Sequence, residues 1–120
     1  MKKITTLALS ALLAVSAVMT DVAASPMRGR GVATHICSAY SSVTYYETFR
    51  GGELGVVSIA GDGDTDLDLY VYDSAGRLVA SGIGASDREM VSFVPLGTQT
   101  YRIVVRNLGG VWNRFTIRTN

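Results

Sequence analysis

The sequence predicts an all-β protein built as one antiparallel β-sandwich. Short runs rich in Val, Ile, Tyr, Phe and Thr recur along the chain, Gly, Asn, Asp or Pro separate them, and none keeps helical spacing for three turns after residue 40. Seven short strands at this spacing favour a sandwich over an open sheet. The predicted strands are residues 43–49, 54–60, 67–72, 78–81, 90–94, 101–106 and 114–119.

Residues 1–24 are predicted to be a helical signal peptide of the Sec type. Lys2 and Lys3 precede an uncharged apolar run over residues 4–19, and small residues lead to a cleavage site after Ala24. The run is shorter than the roughly 20 residues that span a bilayer. We therefore expect a secreted or periplasmic protein, with a flexible segment over residues 25–40 and one sandwich domain over residues 41–120.

The charge and cysteine content of the chain limit the kinds of partner and of cysteine chemistry that we expect. Of the 11 basic and 10 acidic residues, Lys2, Lys3 and Asp21 lie in the leader, which leaves the remainder near neutral. Nucleic-acid and anionic-membrane binding need a basic excess, so we expect neither partner. Cys37 is the only cysteine, which excludes an internal disulfide. A buried thiol is the favoured interpretation, with an intermolecular bridge and a reactive thiol as alternatives.

Alternation along the strands predicts which side chains face the core. Leu67, Leu69 and Val71 should point inward, because successive strand residues face opposite sides. The outer face of the same strand then carries Asp66, Asp68, Tyr70 and Tyr72. After this strand, Asp73-Ser74-Ala75-Gly76 is a type I turn sequence that predicts a hairpin. Tyr101 and either Tyr45 or Tyr46 are further predicted core or corner residues.

Four aspartates at alternate positions precede and enter this strand: Asp62, Asp64, Asp66 and Asp68. Their spacing is similar to the start of an EF-hand loop, but Leu67 stands where that loop needs glycine and no helices flank it. We predict a looser calcium site formed by these four carboxylates. The alternative is that Asp62 and Asp64 make turn contacts while Asp66 and Asp68 pair with arginines of a neighbouring strand.

No catalytic residues are predicted, and we expect the protein not to be an enzyme. Asp66 and Asp68 lie on a solvated face without an apolar surround to raise one pKa. The chain contains no Gly-x-Ser-x-Gly nucleophile elbow. His35 and Cys37 alone are too few to close a zinc site.

The strand pattern resembles the bacterial pre-peptidase C-terminal domain. The most specific element is the Asp-x-Asp-Leu-Tyr-Val block at residues 66–71, followed by Gly76 and by strands at residues 101–105 and 115–117. The resemblance covers about residues 45–119. It implies a jelly-roll-like β-sandwich of about seven to eight strands, secreted and non-catalytic, usually attached to extracellular hydrolases. Some relatives hold calcium, and the family motif falls on Asp66 and Asp68 here.

These observations predict an exported accessory or binding module that contacts an extracellular or periplasmic protein or a polysaccharide. Tyr70, Tyr72 and Trp112 are the predicted contact residues, because amphipathic aromatic rings are common at such interfaces. Ordinary sheet propensity is an equal explanation for the tyrosines. The alternative function is a partner or inhibitor of a secreted hydrolase that acts in trans.

Overall fold

The computed structural model describes residues 25–120 and contains no helix in that range. The predicted signal peptide and its cleavage site after Ala24 lie outside the described residues. Eight strands are present, one more than the runs predict. They are β1 Gly31–Cys37, β2 Ser42–Phe49, β3 Gly55–Ala60, β4 Leu67–Tyr72, β5 Leu78–Gly82, β6 Arg88–Phe93, β7 Gln99–Asn107 and β8 Asn113–Thr119.

The eight strands form two four-stranded antiparallel sheets. Sheet I has the order β1-β8-β3-β6, and sheet II has the order β2-β7-β4-β5. This is the strand order of a jelly roll, in which the chain passes repeatedly between two facing sheets and, among the described strands, only β4 and β5 follow each other in the same sheet. The predicted all-β, jelly-roll-like sandwich is therefore confirmed. No helix of the described residues is long and apolar enough to cross a membrane.

The core lies between the sheets and follows the predicted alternation. Leu67, Leu69 and Val71 of β4 are fully buried, and each such side chain contributes roughly 1.5–3 kcal/mol through its removal from water. At one end, the rings of Phe49 and Tyr101 stack edge to face at 5.7 Å between centroids. Burial raises the pKa of the Tyr101 hydroxyl. The core prediction for β4 and for Tyr101 is confirmed.

Tyr45 and Tyr46, which are adjacent in β2, point to opposite faces of sheet II. Tyr45 packs against the core, and its ring meets Phe115 edge to face at 6.5 Å. Burial raises the pKa of its hydroxyl, and Cys37 adds to the shift. Tyr46 is 54% exposed on the opposite side. Tyr45 is thus the core member of the predicted pair.

The prediction of a flexible segment over residues 25–40 is wrong for most of its length. Gly31–Cys37 is strand β1, which pairs along its whole length with β8. Ser25, which is fully buried, donates from its hydroxyl to the Glu53 carbonyl, and Pro26 bridges to Phe49. The segment lacks an apolar period because β1 is an edge strand whose side chains before Cys37 are half-buried or exposed, so backbone pairing holds it.

Cys37, at the end of β1, is buried as predicted. Its side chain is 0% exposed, and the thiol donates to the Ser41 carbonyl at 3.3 Å. A thiol in this setting behaves as a small apolar core residue.

The predicted turn after β4 is also present. Gly76 N–H donates to the Asp73 carbonyl at 2.9 Å, and Gly76 adopts a positive φ of 83° that glycine accepts without strain. The Asp73 carboxylate accepts from the backbone N–H groups of Ala75 and Arg77. Bonds from Arg77 and Ala75, together with the Arg77 charge, lower the pKa of Asp73 despite its burial.

Candidate functional site

The acidic stretch after β3 divides into two parts with different partners. In the first part, the Asp62 carboxylate accepts from the backbone N–H of Asp64 at 3.1 Å and of Arg114 at 2.9 Å. Asp87, in the loop before β6, accepts from Gly63 N–H at 2.6 Å. The bond from Asp64 N–H is the local turn contact that the turn interpretation predicts for Asp62.

Asn113, the first residue of β8, joins these two acids. It is fully buried, accepts from Asp62 N–H at 3.2 Å, and donates to the Asp87 carboxylate at 3.0 Å and to Thr65 Oγ1 at 3.2 Å. Gly61 has to be glycine, because a Cβ there would run into the side chains of Asp87 and Asn113. We call Asp62, Asp87 and Asn113 the loop hub.

In the second part, Asp66 and Asp68 meet an acid from the other sheet. One carboxylate oxygen of each and one of Glu89 lie within 4.8 Å of one another. Asp66 precedes β4, Asp68 lies in β4 of sheet II, and Glu89 lies in β6 of sheet I. We call Asp66, Asp68 and Glu89 the acidic pocket.

Two glycines at the end of β5 make room for the pocket. A Cβ on Gly82 would lie 2.7 Å from Glu89 Oε1, and one on Gly84 would lie 3.2 Å from Glu89 Oε2. Because these positions carry no side chain, the Glu89 carboxylate reaches past the end of β5 toward sheet II. Glu89 shares its strand face with Val91 and Phe93, which point toward the core.

The expectation that the acids of β4 meet solvent is wrong for Asp68. This residue is only 6% exposed, and its Oδ2 accepts from the Tyr70 hydroxyl at 3.2 Å. Burial raises the pKa of Asp68, and the neighbouring Asp66 raises it further, against opposing effects of the Tyr70 hydrogen bond and the Arg106 charge. Glu89 was not a predicted site residue. Its carboxylate lies close to that of Asp68, which explains why Asp68 is buried although its strand position points outward.

The predicted pairing of Asp68 with an arginine of the neighbouring strand is not formed. Asp68 stands opposite Arg106 in the register of β4 and β7, yet no ion pair between these two described residues is found. Arg106 is exposed. The acidic pocket therefore contains more negative charge than the adjacent side chains neutralise.

The outer face of sheet II carries aromatic rings next to the pocket. Register places Tyr46 of β2 opposite Arg102 of β7, and Arg102 opposite Tyr72 of β4. The Arg102 guanidinium lies over the Tyr72 ring, 4.2 Å from its centroid, and the nearly parallel Tyr70 ring lies 6.4 Å from that of Tyr72. We call Tyr46, Tyr70, Tyr72 and Arg102 the tyrosine–arginine face.

Trp112 lies apart from this face, on the loop between β7 and β8. It is 53% exposed, beside Val111 at 53%, and Leu108 in the same loop is 41% exposed. Tyr40, 74% exposed and in a left-handed conformation with φ of 56°, donates its backbone N–H to the Gly109 carbonyl of this loop. In residues 25–120 no ring contact joins Trp112 to Tyr70 or Tyr72.

Glu89, Tyr46 and Arg102 were not among the predicted site residues. One signal was available for Glu89, since it alternates with Val91 and Phe93 and so occupies an inward position in an apolar row. The predicted strand began at residue 90 and left it outside. Tyr46 and Arg102 are brought side by side only by the pairing register of β2 with β7, which no local sequence pattern specifies.

Fold and site together define a small jelly-roll domain with an aromatic outer face and an acidic pocket at one edge. No protein-family model and no curated protein matches the chain. Solved structures with the same fold include the pre-peptidase C-terminal domain of collagenase from Bacillus anthracis. That domain is 10% identical, with 73% of this chain and 88% of that chain covered and a TM-score of 0.60.

Two further structures share the fold at similar identity. The periplasmic inhibitor of g-type lysozyme from Aeromonas hydrophila is 9% identical, with 76% of this chain and 84% of that chain covered and a TM-score of 0.58. The Yersinia pseudotuberculosis-derived mitogen is 10% identical, with 77% and 85% covered and a TM-score of 0.51. The expected likeness to the pre-peptidase C-terminal domain is confirmed at the level of the fold.

Proposed function

We propose that the chain is an exported, non-catalytic module that binds an extracellular or periplasmic protein through the tyrosine–arginine face. The observation that carries the proposal is the cross-strand row of Tyr46, Arg102 and Tyr72 on the outside of sheet II. Tyr and Arg are enriched among the residues that dominate protein–protein binding energies. Tyr46, 54% exposed, is the most accessible ring of the row.

The other outer face supports a specific role for these rings. Sheet propensity alone would place aromatic residues on both sheets. The outward positions of sheet I carry none and are Val32, Thr34, Ile36, Val56, Ser58, Ala60, Arg88, Met90, Ser92, Arg114, Thr116 and Arg118. The outward tyrosines thus lie on the outer face of sheet II and not on that of sheet I, although each sheet has four strands.

A protein partner is favoured over a polysaccharide. A sugar ring stacks on a free aromatic face, whereas the Arg102 guanidinium already covers one face of Tyr72. The face is part of a sheet, and its ring edges, hydroxyls and guanidinium suit a broad polar and aromatic protein contact.

The test compares the native protein with two double variants in affinity capture from the exported proteins of the producing cell. We expect Tyr46→Ser with Arg102→Ser to weaken binding at least tenfold, because two truncated interface residues cost about 2 kcal/mol or more. The matched control changes sheet I instead, with Met90→Ser and Arg118→Ser, and should bind as the native protein does. Equal capture by both variants would overturn the proposal, and retention on envelope polysaccharide alone would favour a glycan-binding module.

A narrower candidate is a partner or inhibitor of a secreted hydrolase that acts in trans. Its support is the fold shared with the lysozyme inhibitor from Aeromonas hydrophila. In this case the captured protein is a hydrolase, and adding the native protein at equal concentration reduces its activity while the Tyr46→Ser, Arg102→Ser variant does not. Full activity in the presence of saturating native protein would exclude inhibition.

A further inference from the structure

The acidic pocket contains three carboxylate oxygens that are shielded from solvent and lack a hydrogen-bond partner. They are Oδ1 of Asp66, Oδ1 of Asp68 and Oε2 of Glu89. A buried carboxylate oxygen without a partner costs free energy, and three on neighbouring residues also repel one another. Asp68 is only 6% exposed, so water does not relieve this cost at its side chain. Such an arrangement suits a positively charged ligand.

The dimensions of the pocket fit a calcium ion. Calcium binds oxygen ligands at about 2.3–2.6 Å, so two ligands of one ion lie at most about 5 Å apart. The three carboxylates each place one oxygen within 4.8 Å of the other two. Carboxylates bind this ion with one or both oxygens, so three of them supply at least three of the six to eight ligands it takes.

The surroundings hold two of the three acids in place. Tyr70 donates its hydroxyl to Asp68 Oδ2 at 3.2 Å, which orients the carboxyl group. Gly82 leaves the space that Glu89 occupies, because a Cβ there would lie 2.9 Å from Glu89 Cβ. The β4–β6 contact is reinforced by Leu67 N–H, which donates to the Ser86 carbonyl at 3.3 Å.

We propose that Asp66, Asp68 and Glu89 bind one calcium ion that ties sheet I to sheet II at the edge formed by β4, β5 and β6. Two of the four acids that the sequence suggested belong to this site. Asp62 serves the loop hub instead, and Glu89 completes the set from the opposite sheet. Tyr70 borders both this site and the tyrosine–arginine face, but none of the three ligands belongs to the row of Tyr46, Arg102 and Tyr72, so calcium binding is tested independently of the proposed function.

Thermal unfolding of the purified protein tests the site, first with chelator and then with about 5 mM calcium or magnesium. Extracellular calcium modules bind with dissociation constants of about 0.1–1 mM. We therefore expect calcium to raise Tm by about 4 °C or more, and magnesium to raise it less, since magnesium needs shorter and more regular ligand geometry. The absence of a calcium-dependent shift would overturn the proposal, and an equal shift with magnesium would overturn the choice of calcium.

Paired variants locate the ion. Glu89→Gln should weaken calcium binding at least tenfold, whereas Asp64→Asn, an exposed acid of the same loop outside the pocket, should leave it within twofold. Gly82→Ala should also weaken binding by displacing Glu89, whereas Gly97→Ala enters open space and should not. If Asp64→Asn abolished binding and Glu89→Gln did not, the ion would sit in the loop and the proposed ligand set would be wrong.

A spectroscopic measurement separates ligand loss from misfolding. Terbium(III) is a calcium-sized ion that emits light when a nearby aromatic ring transfers energy to it. Tyr70 contacts Asp68 directly, so terbium emission excited through tyrosine should appear in the native protein and fall strongly in Tyr70→Phe. The Tyr46→Phe variant is the matched control and should keep the signal. Emission unchanged by Tyr70→Phe would place the ion elsewhere.

Discussion

The loop hub and the acidic pocket lie within a few residues of each other in the sequence, yet their carboxylates differ in whether they have hydrogen-bond partners. In the loop hub, Asp62 and Asp87 accept hydrogen bonds from backbone N–H groups and from Asn113. In the acidic pocket, Asp66, Asp68 and Glu89 each keep one enclosed oxygen without a partner. Charge density along a sequence therefore does not indicate whether its acids have hydrogen-bond partners, because residues distant in the sequence supply or withhold those partners.

The largest expected effect comes from removing the centre of the loop hub. Asn113→Ala should lower the free energy of unfolding by about 2–4 kcal/mol, because it removes the Asn113 hydrogen bond to the buried Asp87 carboxylate and leaves the Asp62 N–H without its partner. Urea unfolding monitored by tryptophan fluorescence measures it. The matched control is Asp64→Ala, which removes an exposed side chain and should change stability by less than about 0.5 kcal/mol. Equal losses in the two variants would contradict the distinction between hub and surface acids.

A smaller effect of opposite sign is expected in the pocket. With chelator present, Glu89→Gln should raise the free energy of unfolding by about 1 kcal/mol, because it removes one of three mutually repelling carboxylates. Asp62→Asn should lower it, since the Asp62 carboxylate accepts two backbone N–H bonds that a charged acceptor strengthens. Urea unfolding of both variants under identical conditions gives the two signs. A loss of stability in Glu89→Gln would show that the pocket is satisfied without a cation.

The smallest expected effect is the pH dependence of stability that the hydrogen-bonded Asp73 carboxylate should cause. The pKa of Asp73 is lowered in the folded protein by bonds from Arg77 and Ala75, so its stabilising contribution is complete above the unfolded value of about 3.9 and is lost as pH falls through the lower folded value. Asp73→Asn should therefore lower the urea midpoint at pH 7, and this difference should shrink progressively as the pH falls below about 3.9. A midpoint difference that persists undiminished at pH 3 would mean that the turn does not depend on this charge.

The sequence was sufficient for most of the fold because alternation is a local signal. Leu67, Leu69 and Val71 mark a strand and its inner face without reference to the rest of the chain. Strand β1 escaped this reasoning, since Thr34, His35 and Ile36 are all exposed and the strand depends on its backbone ladder with β8. An edge strand held by pairing leaves little trace in hydrophobic pattern.

The site was only partly predictable because its parts meet through tertiary contacts. Asp66 and Asp68 could be selected from their spacing, but Glu89 reaches them only because Gly82 and Gly84 lack side chains and β6 crosses beside β4. The Arg102 and Tyr72 contact likewise depends on the β4–β7 register. Single-sequence reasoning identifies candidate ligands, whereas the identity of their neighbours requires the packed sheets.

The complete burial of the Cys37 side chain limits when a disulfide between two molecules can form. Two folded copies cannot be joined through a sulfur atom that neither presents to the other. A disulfide-linked dimer recovered from an oxidising compartment would therefore be the record of chains that met before folding or after unfolding.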